Sequence, residues 1–532
     1  MQASPLTNQS NQILLLNLTR FNFLSLLILF FNCQSVQSQT NTVIPCSLKI
    51  DSVSTHQIVS PMMSGFSCEN IFLEINNPLD TALLNQLKKL NPAVLRFPGG
   101  MLSNFYHPMN NGYGLKKSEI APINVQYAQQ LQLEGVFTKQ AAVNHPYLHD
   151  FVNFCHALKS KVLVTANILT GTPEELIDEL NYFTDNNVEI AGVELGDELY
   201  LGIYRQVFPY PGSYLSKTQM FVQMVHKYFP KIKVGMVAAP LARISDLEGT
   251  SAADFGYFKS WNDALSKTDL FDAIVIHAYT PVTVLESQPT DSIFRRAASD
   301  AEKTFGRNGT MVQAMDYYAE VFPKSPIWIS EWNLSLRPNK SYFVNTVLQT
   351  IYIGSFLNFL NELNSESSPH VDMAMFQSIA TGGVYNHYGA IDYRSEKEKS
   401  STNIVRRTPW YAFKLMTPVF DGRNHVCVSN TPCEIPINFY SYVDTTNSQW
   451  LICFMNYSGK EIKIDSLIND STDWSGKQVS IEYIKGALQN SYGWTRFSRN
   501  NYNTAPEAKN ETMLLKDFIF PSYGVGIIRI KK

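Results

Sequence analysis

The chain has 532 residues, of which 45% are hydrophobic and 12% aromatic, and its net charge at neutral pH is -3. That balance offers no basic field for nucleic acid and no charge run of the kind a solvating tail carries. The length asks for two or more domains, or for one large barrel with an accessory domain.

Residues 1–38 read as a signal peptide. Arg20 precedes the apolar run "FNFLSLLILFF", and "SVQSQT" then supplies small residues for cleavage near Ser38. The run is too short for a membrane span, and no later segment is as long and apolar. The mature protein is therefore expected to be exported, secreted or periplasmic, without stable membrane insertion. Cys33 raises a lipoprotein alternative, although "FFNC" lacks the small residue expected before a lipidated cysteine. The other six cysteines are Cys46, Cys68, Cys155, Cys427, Cys433 and Cys453. An exported chain permits disulfides among them, the best pair being Cys427 and Cys433 in "CVSNTPC"; Cys155 in "FVNFCHAL" reads as a buried thiol.

From residue 62 to 405, short β-rich runs alternate with amphipathic stretches. The runs are "MSGFSCENIF", "AVLRFP", "KVLVTAN", "VEIAGVEL", "IKVGMVAA", "FDAIVIHAY", "PIWISEW" and "VDMAMFQ". Eight such units predict an α/β chain folded as a (β/α)8 TIM barrel, whose site lies at the C-terminal ends of its strands. The segment after the second run, Met101 to His149, is far longer than a strand-to-helix turn needs. It is expected either to shape substrate subsites or to pack as a flap. Beyond residue 411 helical periodicity fades into short strands separated by Asn, Ser, Gly and Asp. Residues 411–532, joined by 43–61 with "SLKIDSV", predict an antiparallel β-sandwich.

Polar residues gather at the predicted strand ends: Arg96 before "FPGG", Asn167, Asp197 and Glu198 in "VELGDELY", His277 and Tyr279, Glu331 and Trp332, and Gln377. Three acids within five residues repel one another, which is useful where one of them must hold a proton. Glu198 and Glu331 lie 133 positions apart, on the fourth and seventh runs, and so face each other across one barrel mouth. Two carboxyl groups about 5 Å apart are what retaining glycoside hydrolysis requires: one attacks the anomeric carbon, and the other protonates the leaving oxygen and then activates water. Each residue also has a plainer reading. Glu194 reads best as salt-bridged, Arg96 can be a structural partner of a barrel carboxylate, His277 a core histidine, and Gly99-Gly100 a tight turn. Trp332 and Trp410 read as site walls. Asn333 begins an N-x-S sequon beside a candidate nucleophile and is expected to stay unmodified; Asn308, Asn339, Asn456, Asn469 and Asn510 are freer. No zinc spacing, G-x-S-x-G or phosphate-binding glycine loop occurs, so no metal or other cofactor is implied.

"VELGDEL" resembles the E-L-G-N-E segment of clan A glycoside hydrolases, and "IWISEWN" resembles their strand-seven nucleophile segment. "LRFPGG" and "NILTGTPEE" are similar to segments of α-L-arabinofuranosidases and heparanase-like β-glucuronidases, which also carry a β-sandwich; "WYAFKLM" and "FPSYGVGIIRI" fit that sandwich. The resemblance covers most of residues 45–532. It implies Glu198 as acid/base, Glu331 as nucleophile, and Arg96, His277 and Tyr279 as residues that orient the nucleophile or bind sugar. Asp197 departs from it, standing where the clan usually has an Asn that contacts the sugar 2-hydroxyl; an ionised Asp can only accept there. The expected partner is a polysaccharide or oligosaccharide, with the sugar and the oligomeric state left open. The competing reading is a catalytically silent carbohydrate-binding protein on the same scaffold.

Overall fold

The computed structural model describes residues 44–531 except 70, 76, 242–251, 281–289, 307–308, 335–342, 366–369, 383–388, 394–403, 431–435, 445, 447–448, 470–471 and 491–505, with backbone only at 51–57, 252–253, 382 and 428–430. The signal-peptide reading, Cys33, Cys433, Asn308 and Asn339 lie outside the described residues. No helix among the described residues is long and apolar enough to cross a membrane.

The chain enters through a long strand, β1 (Ile44–Ile58), and then builds eight parallel strands: β2 (Gly65–Ser67), β3 (Val94–Phe97), β4 (Lys161–Ala166), β5 (Ile190–Leu195), β6 (Val234–Val237), β7 (Ala273–Thr280), β8 (Ile327–Leu334) and β9 (Val371–Phe376). They pair in chain order and close through β2 against β9. Each expected run supplies one strand, because a run buried on both faces is apolar throughout. Their outward residues, such as Leu95, Val193, Ile274 and Ile329, join the large core shared with the surrounding helices. Their inward residues near the barrel floor, Val94, Leu163, Ala273, Val275, Trp328, Met373 and Met375, form a separate small core. Trp328 fits there because β5 and β6 present glycine: a Cβ on Gly192 or Gly235 would lie 2.5 Å or 2.7 Å from its ring.

After the barrel come a three-stranded sheet, β10 (Ala380–Gly382), β11 (Ile391–Tyr393) and β12 (Ile404–Arg406), and a helix, Thr408–Met416. The remaining strands are β13 (Asn424–Asn430), β14 (Ile437–Asp444), β15 (Gln449–Asn456), β16 (Ile462–Asn469), β17 (Thr472–Asp473), β18 (Gln478–Lys485), β19 (Glu507–Leu514), β20 (Ile519–Phe520) and β21 (Val525–Lys531). With β1 they make one ten-stranded sheet in the order β17-β16-β1-β13-β14-β15-β21-β18-β19, with β20 on β16. Its inner faces enclose a second core that includes Leu48, Ile50, Trp450, Phe454, Ile481 and Phe520. One pairing differs from the antiparallel expectation: β1 runs parallel to β16 and antiparallel to β13. The sheet docks on the barrel helix Val347–Asn364 through Tyr442, bonded to Asn358 and Asn361, and Tyr457, bonded to Ser355.

The expected Cys427–Cys433 bridge is corrected. Cys427 is a thiol inside β13, its Sγ directed at the His425 carbonyl (3.9 Å), because the strand runs on to Asn430 where a turn was expected. Cys46 is the disulfide-bonded cysteine. Cys68, Cys155 and Cys453 are also thiols, so its partner lies outside the described residues. Among the described sequons, Asn456 is buried and bonded to the Lys460 and Pro521 carbonyls, Asn469 is buried, and Asn510 is exposed on β19.

Candidate active site

Arg96 is the hub of the barrel mouth. It projects inward from β3, fully buried, and its guanidinium serves three carboxylates. Nε and Nη2 donate to Glu194 at 2.8 Å and 2.7 Å, Nη2 also to Asp197 Oδ1 at 2.6 Å, and Nη1 to Glu331 Oε1 at 2.6 Å. Glu194 also accepts from Ser330 Oγ. Its plain salt-bridged reading holds. Arg96 is held there by the turn behind it: a Cβ on Gly99 would meet its Nη1 at 3.1 Å, and one on Gly100 would meet Glu69 Oε1 at 2.0 Å. The two glycines therefore serve close approach as well as positive φ.

Glu331 owes its inward direction to a bulge. Along β8, Trp328 points in and Ile329 out, and Ser330 points in to reach Glu194. The register against β7 then slips between Ile276↔Ile329 and His277↔Glu331, so Glu331 also points in. Its Oε2 accepts from the Tyr279 hydroxyl at 2.5 Å. Burial favours its neutral form, but the His277 and Arg96 charges and the Tyr279 hydrogen bond outweigh it and hold the carboxyl below its ordinary range. His277 is buried. Its Nδ1 donates to Glu198 Oε1 at 2.9 Å and lies 3.6 Å from Glu331 Oε2, while its Nε2 is 3.8 Å from Asp197. Burial works against its charge, yet Glu331, Glu198 and Asp197 push its pKa up to about 10. Because one nitrogen reaches both glutamates, their nearest oxygens are no further apart than those two distances combined.

Glu198 follows a sharp turn. Gly196 has φ 89° and Glu198 itself φ 46°, a left-handed conformation costly for a residue with a Cβ. Its side chain remains 23% exposed and also accepts from the Tyr200 hydroxyl. Asp197 is tied through Oδ1 to Arg96, and burial, with Glu331 and Glu198 nearby, raises its carboxyl to about 7 despite Arg96 and His277.

Two residues escaped the sequence reading. Glu69, just past β2, accepts from Gln377 Nε2 and is raised to about 8 by burial and by Glu331 and Asp197. Asn104, in the turn after β3, binds the Asp197 backbone. The signal for Glu69 was its place two residues beyond Ser67, a strand-end acid like the others; for Asn104 there was none beyond its polarity in an apolar stretch.

Three expected site residues stand apart from this cluster. Trp332, one residue past the bulge, points outward; it stacks on Phe356 at 4.2 Å and packs edge-on to Phe376, so it belongs to the core between barrel and helices. Trp410 is likewise core, donating to the Gln86 carbonyl beneath the Arg406 guanidinium. Asn167 closes the turn after β4: its amide donates to the Tyr106 carbonyl and Thr170 Oγ1, and its oxygen accepts from Thr170 N–H. Asn333 is buried and bonded to the Gln377 carbonyl and Gln349, beyond reach of modification in the folded chain. The segment Met101 to His149 buries Leu102, Phe105, Tyr113 and Ile120, with His107 between Glu119 and Glu175. Glu194, Asp197 and His277 each bring one potential metal-ligand atom within 4.8 Å of the others, but the Arg96 guanidinium already donates to both acids.

No family model matches the chain. It is 25% identical over 210 residues to an intracellular exo-α-L-arabinofuranosidase of Bacteroides ovatus, covering 38% of this chain and 37% of that protein. The chain thus matches little more than a third of that relative's length. Its fold is that of the GH51 arabinofuranosidase from Xanthomonas axonopodis pv. citri (TM-score 0.62, 12% identity, 91% of this chain and 100% of that one). The family 51 α-L-arabinofuranosidase of Bifidobacterium longum aligns equally well (TM-score 0.62, 13% identity, 92% and 100%). These likenesses span more than nine-tenths of the chain and show the fold. The heparanase-like side of the sequence resemblance gains nothing from them.

Proposed function

We propose that the chain is a retaining glycoside hydrolase of arabinofuranosidase type, acting on a polysaccharide or oligosaccharide. The observation that carries this reading is the single His277 nitrogen within reach of both Glu198 and Glu331, which supports a carboxylate spacing suited to double displacement. The two acids differ in the required way. Glu331 is buried, bonded to Arg96 and Tyr279 and held ionised, as a nucleophile must be. Glu198 is the more exposed, and so can meet a leaving group and water. In the first step Glu331 bonds to the anomeric carbon while the Glu198 proton passes to the departing oxygen. In the second, Glu198 takes a proton from water, whose oxygen displaces Glu331. The likeness to the Bacteroides ovatus enzyme supports arabinofuranosides as the first substrates to try. Export through residues 1–38 belongs to the same proposal.

The test is a screen of aryl glycosides and plant or matrix polysaccharides, with the anomer of the first product followed by NMR. The expected result is turnover with retention, and loss of about 10³-fold or more in Glu331→Gln. Binding without hydrolysis by the wild type would favour the silent carbohydrate-binding reading, and undiminished turnover in Glu331→Gln would remove Glu331 from the mechanism.

A further inference from the structure

We propose that Asn104 is the positioning residue for Glu198, an inference that rests on the hydrolase reading for its catalytic consequence. β5 ends at Leu195, which pairs with Ala166 of β4 and Met236 of β6. Beyond it, no strand among the described residues pairs with the chain. Asn104 does so instead, since its Oδ1 accepts from Asp197 N–H at 2.9 Å and its Nδ2 donates to the Asp197 carbonyl at 2.8 Å. One side chain thereby pairs with both backbone groups of one residue, as a neighbouring strand would. The same Nδ2 donates to the Tyr204 hydroxyl at 3.1 Å, and all the atoms involved are buried.

Both flanks of the held peptide need that support. Gly196 turns with φ 89°, and a Cβ there would strike the Leu199 side chain at 2.3 Å. Glu198 follows in the left-handed region, where a residue with a Cβ stays only if its surroundings over-determine it. Its carbonyl accepts from Leu201 N–H and its carboxylate meets Tyr200, both local, and the carboxylate also meets His277 of β7. Asn104 is the long-range side chain that holds the backbone beside it. It comes from the far side of β4, at the end of the short helix Gly100–Ser103 that the Gly99-Gly100 turn launches from β3. The loop that places Arg96 against Glu331 thus also places the backbone from which Glu198 departs. A loosened Glu198 would still leave Glu331 in position. Glycosylation would then suffer where the leaving group needs a proton and proceed where it does not.

Two arms test this. The first compares kcat/KM on a poor leaving group, a methoxyphenyl glycoside, with that on a good one, a dinitrophenyl glycoside of the same sugar. Asn104→Ala should lose about 10–100-fold on the poor leaving group, within the range of general acid catalysis, and no more than about threefold on the good one. Tyr204→Phe, which removes a single hydroxyl, should shift the ratio in the same direction by a smaller factor, and it decides the question should Asn104→Ala not fold. Equal losses on both substrates, or none, would overturn the inference. The second arm needs no turnover: the His277 Nδ1–H proton bonded to Glu198 should give a downfield resonance that moves in Asn104→Ala or Tyr204→Phe. An unmoved resonance would overturn the positioning role even if the wild type hydrolysed nothing, an outcome that by itself counts against the hydrolase reading alone.

Discussion

The floor and the mouth of the barrel are built from the same strands, two residues apart, and hold together by opposite means. Val94 and Arg96 point inward from β3, Gly192 and Glu194 from β5, Val275 and His277 from β7, and Trp328 and Ser330 from β8. At the floor, one large indole fills the space that two glycines leave open, and stability comes from burial. At the mouth, five carboxyl groups surround two cations, Arg96 and His277, so the site stays folded only by pairing charges and retaining protons. A step of two residues along a strand changes the kind of energy that holds it.

The largest effect should come from removing the hub. Arg96→Met keeps much of the volume but leaves Glu194, Asp197 and Glu331 buried without their main counter-charge. Breaking a buried ion pair on one side costs about 3–5 kcal/mol, which urea denaturation would register as a lower midpoint. A variant as stable as the wild type would mean that the mouth, like the floor, is held by packing.

A smaller effect follows from proton retention. His277 is raised from 6.5 to about 10, Glu69 from 4.5 to about 8 and Asp197 from 3.8 to about 7. All three bind protons more tightly folded than unfolded, so stability must fall as pH rises. The His277 contribution is complete below its ordinary value and lost through about 10; the cost of Glu69 and Asp197 accumulates up to about 8 and about 7. Glu331 has the opposite sign, but only at the acid end, below its ordinary value of 4.5. Melting temperature should therefore decline from about pH 5 to about pH 9, less steeply in Glu69→Gln. A rising profile would show that the mouth does not hold these protons.

The strands and most of the charged mouth were legible because each carries its own local signal: an apolar run closed by a polar residue at the expected barrel end. What the sequence hid depends on pairing between distant segments. β2 is only three residues long, so Glu69 in "MSGFSCENIF" could not be assigned to a strand end. The parallel pairing of β1 with β16 joins residues more than 400 positions apart, as does Ser47 with Ser466. Asn167 sat at a strand end, as expected, but its amide is consumed by the turn it closes. The β8 bulge reveals itself only in register against β7. Strict alternation from Trp328 would put Trp332 inside and Glu331 outside, the reverse of the arrangement observed.

That reversal gives the finest test of the contrast between the barrel's inside and its outside. If Trp332 lined the mouth, shortening its ring would change how a sugar binds. Its indole instead lies in the aromatic layer with Phe356, Phe376 and Phe413, and its Nε1 has no hydrogen-bond partner among the described residues. Trp332→Phe therefore removes apolar volume and one buried N–H that makes no hydrogen bond to the described residues. The expected loss is about 1–2 kcal/mol, below the ~3–5 kcal/mol of a full truncation to alanine, because a ring still fills most of the space. KM should remain within about twofold, since that corresponds to only a few tenths of a kcal/mol. A raised KM with unchanged melting would mean that the indole reaches the mouth, and that Ser330 does not displace it outward.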